Sequence, residues 1–467
     1  MTLIKSISGI RGTIGGKSGD NLSPIDIVKF TAAFVHFHQK RHGKKAIRLV
    51  VGRDARISGK MVESLVVSTA ISMGVEVINA GLSTTPTVEM TVIETQSNGG
   101  VILTASHNPK QWNALKLLNE KGEFISDKEG RQVLEYAENM NFNFASVDEL
   151  GTVTEDDTFI GRHIDAVLKL KLVDKNLIAN AGFKIAVDGV NSTGGIAIPR
   201  LLKALGVKDI IELNCEPTGE FAHNPEPLPE NLTEISAKVV TEKADLGIVV
   251  DPDVDRLAFV MENGQMFGEE YTLVAVADYV LQHTVGNTVS NLSSTRALHD
   301  ITEKAGGKYT AAAVGEVNVV AKMKETGAVI GGEGNGGVIY PELHYGRDAL
   351  VGTALFLTYL AGRKMKVSEL RATYPDYFIS KNKIALKSET SVQRLFDKVR
   401  AAYSGFPILD IDGLKIDFPD GWVQLRTSNT EPVMRVYAES ISMEKADAYA
   451  EKVMELLKDN SQAVVRQ

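Results

Sequence analysis

Asp251, Asp253 and Asp255 stand at alternate positions in Asp251-Pro252-Asp253-Val254-Asp255-Arg256, directly after the apolar run Leu246–Val250. On extended backbone, residues i, i+2 and i+4 share a face, so this spacing predicts three carboxylates converging on one point. Carboxylates that close repel one another unless a cation neutralises them, and an all-oxygen donor set suits Mg2+. Two other chemistries compete for the same residues. A calcium loop needs glycine at its sixth position, where this chain has Arg256, and it enters from a helix rather than a strand. A phosphatase with an Asp-x-Asp nucleophile after a strand would give that role to Asp251.

Three further clusters carry groups that could act on a ligand. Thr104-Ala105-Ser106-His107-Asn108-Pro109 follows the apolar Gly100–Leu103 and offers a hydroxyl at Ser106 and a base at His107, with a cation at Lys116. Alone, it reads equally well as an Asn-Pro turn with incidental Ser and His. Gly332 to Gly337 spells G-x-G-x-x-G, yet Val-Ile-Tyr-Pro follows it, not the helix a dinucleotide site requires. Its glycines admit close approach of a ligand, and Glu333 and Asn335 suit sugar hydroxyls; a tight hairpin is the structural alternative. Finally, Arg426-Thr427-Ser428-Asn429-Thr430-Glu431-Pro432-Val433-Met434-Arg435 combines two arginines with hydroxyls and loop amides. That is a phosphate cradle, because the planar guanidinium meets phosphate oxygens in pairs. A salt-bridged surface loop is the alternative there.

The elements that must position these clusters recur along the chain. A β-branched strand, a small-residue turn, an amphipathic helix and a second strand are read at Ala46–Gly52, 58–73 and Val75–Ala80. The same unit is read at Phe183–Gly189, Ser192–Leu205 and Asp209–Leu213, and again at Thr288–Leu292, Thr295–Ala305 and Tyr309–Val314. Each unit calls for parallel strands with helices on the sheet faces. From Tyr377 onward strands outnumber helices, which predicts a smaller α+β domain with a last helix over Met443–Leu457. The seams divide the chain into 1–155, 156–257, 258–373 and 374–467, with one chemical cluster in each part.

A net charge of −8 argues against a general nucleic-acid or membrane-surface binder, so an anionic ligand must be held by local arginines. One cysteine, Cys215, excludes an intramolecular disulfide and a cysteine-rich zinc site. The N-terminus has no long apolar stretch, and the most apolar run, Ala349 to Gly362, falls short of the roughly 20 residues a spanning helix needs. A soluble cytoplasmic protein is expected.

In this order and with these distances, the clusters resemble those of the α-D-phosphohexomutase superfamily over essentially the whole chain. The likeness rests on Ser8-Gly9-Ile10-Arg11-Gly12, the Thr-Ala-Ser-His-Asn-Pro loop, the Asp-x-Asp-x-Asp-Arg loop, Gly-Glu-x-Asn-Gly-Gly and Arg-x-Ser-x-Thr-Glu-Pro. It implies an α/β protein of four domains around a central cleft, three of related topology with mixed sheets and a C-terminal α+β domain. It also implies a phosphoserine at Ser106 and Mg2+ held by Asp251, Asp253, Asp255 and a phosphoserine oxygen. A sugar 1,6-bisphosphate would be the intermediate and activator, and a phosphosugar the substrate, with no nucleic-acid or membrane partner and a monomeric or homodimeric state. Arg11, Lys116 and Arg256 would surround the transferring group, with Lys116 or His107 as acid or base. Glu333 and Asn335 would read the sugar, and Arg426, Ser428, Asn429, Thr430 and Arg435 would clamp the second phosphate.

The bacterial phosphomannomutase/phosphoglucomutase pattern ends Gly-Glu-x-Ser-Gly-His, where this chain has Asn335 and Gly337. Val314-Gly315-Glu316 and Asn291-Leu292-Ser293-Ser294 are more similar to phosphoglucosamine mutases and archaeal-type hexomutases. Glu316 would then pair with a substrate ammonium, which makes glucosamine phosphate the expected substrate and glucose or mannose phosphate the alternative. A sugar phosphatase acting through Asp251, and a non-catalytic phosphosugar-binding protein, are the readings from other classes. Neither gives Ser106 a purpose.

Overall fold

The computed structural model describes residues 2–6, 9–43, 46–386, 391–427, 433–458 and 461–466. The chain divides into two compact units, one of Met1–Val280 with Asn335–Arg371 and the other of Leu281–Gly334 with Ala372–Gln467.

Two sheets build the first unit. The larger has seven strands in the order Ile4–Ser6, Gly9–Thr13, Trp112–Leu118, Gly99–Leu103, Arg48–Arg53, Glu76–Leu82 and Val153–Glu155. Its last four strands run parallel and the first three join antiparallel, so the sheet is mixed. The helix Gly59–Ser72 crosses between two of the parallel strands. Gly99–Leu103 is buried at every position, as an unbroken apolar strand with both faces covered must be. In the smaller sheet, Asp209–Leu213, Lys184–Asp188 and Leu246–Val250 run parallel and Leu257–Met261 closes the edge antiparallel. The apolar run at Ala349 forms the helix Ala349–Arg363, buried throughout from Ala349 to Ala361. Among the described residues no helix is long and apolar enough to cross a membrane.

The second unit holds three parallel strands, with Thr288–Asn291 between Tyr309–Ala312 and Ile330–Glu333, and the helices Ala297–Lys304 and Glu316–Thr326. Beside these in the chain is a six-stranded antiparallel sheet with the helices Val392–Ala402 and Met443–Leu457. Three α/β sheets and one α+β sheet are therefore present, as the strand and helix patterns imply. Element ends shift by a residue or two from the sequence reading, and the strand Ser461–Arg466 carried no pattern that announced it.

A buried polar cluster ties distant segments of the first unit together. His163 Nε2 and His344 Nε2 lie 2.9 and 3.3 Å from Asp348 Oδ2. The other oxygen of Asp348 caps the helix Ala349–Arg363, accepting from Leu350 N and Val351 N. Thr87 Oγ1 meets His163 Nδ1 at 2.9 Å, and Glu89 Oε2 faces His344 Nδ1 at 3.4 Å. Burial opposes ionisation of Asp348, but the two imidazoles outweigh it and hold the carboxyl well below the usual range. Asp348→Ala removes the cap and leaves both imidazoles buried, so it should lower the unfolding free energy by about 3–5 kcal/mol in denaturant titrations. A loss within the noise of the measurement would show that the cluster contributes nothing.

Candidate active site

Two sequence-predicted clusters meet in the first unit, each at the end of a buried strand. Ser106 follows Gly99–Leu103 and adopts φ +48°, a left-handed conformation that a residue with a side chain enters at a cost of roughly 1–3 kcal/mol. Two contacts over-determine that turn. Ser106 N donates to Thr104 Oγ1 at 2.9 Å, and Thr104 Oγ1 donates to Asp54 Oδ2 at 2.7 Å. The buried guanidinium of Arg56 donates to the carbonyl oxygens of Ser106, Asn108, Pro109 and Trp112, and through Nε to Asp54 Oδ2 at 2.9 Å. The turn brings neighbours together that an extended chain would separate: His107 Nδ1 lies 3.5 Å from Ser106 Oγ.

Ser106 Oγ donates to Asp251 Oδ2 at 2.7 Å, so the serine loop and the aspartate loop touch. All three aspartates are fully buried, and one carboxylate oxygen from each lies within 4.8 Å of the others. They converge for a different reason from the one the spacing suggested. The segment is a turn rather than extended strand, with Val254 at φ +65° and Asp251 Oδ1 accepting from the backbone N–H of Asp255 and Arg256, each at 3.1 Å. A β-branched residue in that region is a backbone outlier held by its surroundings.

Cations and hydroxyls brace the acids from outside. Lys116 Nζ donates to Asp253 Oδ2 at 2.7 Å and lies 3.5 Å from Asp255 Oδ2. Thr85 Oγ1 donates to the same Asp253 oxygen at 2.6 Å, and Arg347 Nη2 donates to Asp255 Oδ2 at 2.6 Å. Asp253 Oδ1 and Asp255 Oδ1 are buried without a hydrogen-bond partner among the described residues. Burial pushes the Asp251 carboxyl well above the usual range, with Asp255 and Asp253 adding to the effect. Burial also opposes ionisation of Asp253, but Lys116 and Thr85 prevail and keep it below that range. Two orphaned oxygens inside an all-carboxylate cluster fit a hard divalent cation such as Mg2+.

The remaining groups gather around the same loops. Gly9, at φ +116°, packs where a Cβ would stand 2.3 Å from Leu115 O, and this close approach pairs Arg11 with Ala114, two residues from Lys116. Nε of Arg11 and Nε of Arg256 are buried donors without a partner among the described residues. Burial pushes the His107 imidazole down to about 2, and Arg256, Arg347 and Arg11 also disfavour its charged form, so it is neutral at pH 7. Lys116 is the opposite case: Asp253 and Asp255 overcome its burial and raise it above its ordinary value. Asn335 lies in this unit, its Oδ1 accepting from Gly337 N at 3.3 Å.

The other predicted residues belong to the second unit. Glu333 Oε1 accepts from Asn291 Nδ2 at 2.9 Å and from Gly315 N at 3.1 Å, directly before Glu316 heads the helix Glu316–Thr326. Arg426 and Arg435 stand opposite each other on adjacent antiparallel strands, like charges that repel unless an anion intervenes. Asp412 accepts from Arg426 Nε at 3.1 Å, while Arg435 Nε is buried without a partner among the described residues. Ser428, Asn429 and Thr430 lie outside the described residues. Sequence reading missed Asp54, Arg56, Thr85 and Arg347. Asp54 and Arg56 did carry a signal, because charges directly after the apolar strand Arg48–Arg53 repeat the pattern that exposed the aspartates.

Models of the phosphoglucomutase/phosphomannomutase family match the chain in four consecutive pieces. These are alpha/beta/alpha domain I at residues 3–144, domain II at 161–264, domain III at 268–377 and the C-terminal domain at 381–456. The chain belongs to the phosphoglucomutase/phosphomannomutase family, in the α-D-phosphohexomutase superfamily, and is an isomerase of the mutase type. Among particular relatives, a phosphoglucomutase/phosphomannomutase of Thermococcus kodakarensis is 34% identical over 96% of this chain and 98% of its own. A phosphoglucosamine/phosphogalactosamine mutase of Sulfurisphaera tokodaii is 31% identical over 92% of this chain and 94% of its own. The crystal structure of a Burkholderia thailandensis phosphoglucomutase/phosphomannomutase family protein superposes with a TM-score of 0.84 at 26% identity, covering 98% of both chains.

If the orphaned carboxylate oxygens are cation ligands, Asp253→Asn should weaken Mg2+ binding at least about tenfold in calorimetric titration. Unchanged affinity would remove Asp253 from the set.

Proposed function

We propose that this chain interconverts sugar 6-phosphates and sugar 1-phosphates through a phosphoserine at Ser106 and a sugar 1,6-bisphosphate, with glucosamine phosphate as the preferred substrate. The observation that carries the reading is the hydrogen bond from Ser106 Oγ to Asp251, made by a strained serine at the edge of a buried three-carboxylate cluster. Asp251, Asp253 and Asp255 would hold Mg2+ together with an oxygen of Ser106; when bound, the ion neutralises charge and polarises the phosphoryl group.

The chain's own groups account for the rest of the transfer. The bond between phosphorus and Ser106 Oγ breaks as a bond forms between phosphorus and a sugar hydroxyl oxygen. The hydroxyl proton goes to His107, which lies beside the seryl oxygen and whose basicity the adjoining phosphoryl dianion would raise from the low value it has beside free Ser106. Lys116, Arg11 and Arg256 are fixed positive charges around the group in transit. Asp253 and Asp255 favour the charged form of Lys116, which suits it to the role of a cation. The bisphosphate then turns and returns its other phosphate to Ser106. Glu333 and Asn335 would recognise the hydroxyls, while Arg426 and Arg435, with Ser428, Asn429 and Thr430, would hold the idle phosphate.

A second carboxylate favours the aminosugar. Glu316 is buried at the head of its helix, one residue after the backbone N–H that binds Glu333, where it suits a substrate ammonium. The likeness to the Thermococcus kodakarensis protein, at 34% identity, favours neutral hexose phosphates as the second reading. A coupled assay with Mg2+ and a trace of sugar 1,6-bisphosphate, run on glucosamine 6-phosphate, glucose 1-phosphate and mannose 1-phosphate, separates them. Ser106→Ala should abolish turnover of all three; residual phosphate release from that variant would favour a phosphatase. Glu316→Gln should lower kcat/KM for the aminosugar about tenfold or more, the scale of one lost charge-assisted contact, and spare the neutral sugars. Equal losses would retire the role given to Glu316.

A further inference from the structure

Gly337 ends the loop that carries Asn335, and its backbone is not left-handed, so φ does not require glycine there. Space does. A Cβ at 337 would stand 2.3 Å from Arg347 Cδ and 3.0 Å from Arg347 Cγ, with Asn335 Oδ1 at 3.2 Å. The aliphatic stem of Arg347 fills the room that a side chain at 337 would take. Where the bacterial pattern places histidine, this chain places nothing, and an arginine from farther along the chain occupies the gap.

We propose that Arg347 is a positioning residue of the phosphoryl-transfer site, and that glycine at 337 is what admits it. The inference rests on the phosphohexomutase reading given above. Arg347 Nη2 holds Asp255 Oδ2 at 2.6 Å, which leaves Asp255 Oδ1 buried without a hydrogen-bond partner among the described residues. Asp253 is arranged in the same way, with Lys116 and Thr85 on Oδ2 and Oδ1 left over. Two of the three acids are thus gripped through one oxygen by a cation, with the other buried and unpartnered among the described residues. Outer partners of this kind fix the orientation of a ligating carboxylate. The guanidinium also disfavours the charged forms of both His107 and Lys116, so its charge reaches the groups on the serine side of the site.

The test is a double-mutant cycle on Arg347→Ala and Gly337→Ala, with Arg347→Lys as the conservative variant. It is read by steady-state kinetics at saturating Mg2+ and by thermal unfolding. Arg347→Ala should lower kcat by a factor on the order of 10–100 and change KM for the phosphosugar much less. Gly337→Ala should lower both kcat and Tm, because the methyl group displaces the arginine stem. In the Arg347→Ala background the same methyl group should cost nothing further in either measurement. Arg347→Lys should recover part of kcat, since it restores the charge without the fork. Losses that multiply in the double variant, a harmless Gly337→Ala, or more than half of wild-type kcat in Arg347→Ala would each overturn the proposal. Absence of mutase turnover in the wild type would instead overturn the functional reading, and the Tm cycle would still decide the packing claim.

Discussion

Three buried carboxylates within 4.8 Å of one another set the terms for everything around them. Burial and mutual repulsion both drive such a group toward its protonated form, and both raise Asp251 above the usual carboxylate range. The structure opposes that drive with Lys116, Arg347, Thr85, Ser106 and two backbone N–H groups, and among the described residues one oxygen of Asp253 and one of Asp255 still have no hydrogen-bond partner. A divalent cation would complete that arrangement. The left-handed turns at Ser106 and Val254 are the backbone counterpart, local strain that the surrounding contacts sustain.

Strand ends bring these groups together. Ser106 follows Gly99–Leu103, Asp54 and Arg56 follow Arg48–Arg53, and Asp251 follows Leu246–Val250. In each case a largely buried strand anchors the backbone, and polar chemistry begins where the hydrogen-bond ladder ends. Open α/β sheets place ligands at the carboxyl ends of their strands for this reason. The acidic loop is also fastened from behind, because Ala349 N donates to Val254 O and Thr85 N donates to Asp253 O. The helix capped by Asp348 and the helix entered at Thr85 therefore fix the loop's backbone as well as its side chains.

Much of this was legible in the sequence, though unevenly. The three aspartates stood out as alternate acids directly after an apolar strand, whereas Ser106 and Lys116 were singled out only through the resemblance, since the serine loop alone read equally well as a turn. The cause of convergence was misread: alternation on an extended chain was expected, and a turn with a left-handed valine was found, which no periodicity discloses. Arg347, and the contacts that Arg56 makes, were invisible for another reason. Each acts on a partner far away in the chain, Asp255 and the 106–112 loop respectively, and only tertiary packing makes those contacts. The same holds for His163, His344 and Asp348, unremarkable singly and joined only in the folded unit. The α/β and α+β classes were readable because buried strands and crossover helices leave a periodic signature, whereas the strand Ser461–Arg466 is recognisable only beside the neighbour it pairs with.

The most direct test is to find where phosphate resides on the working protein. After incubation with sugar 1,6-bisphosphate and Mg2+, rapid denaturation and peptide mapping by mass spectrometry should place one acid-stable phosphate on Ser106. A hydroxylamine-sensitive acyl phosphate on Asp251, or no phosphorylated peptide in a protein that still turns over substrate, would contradict the account.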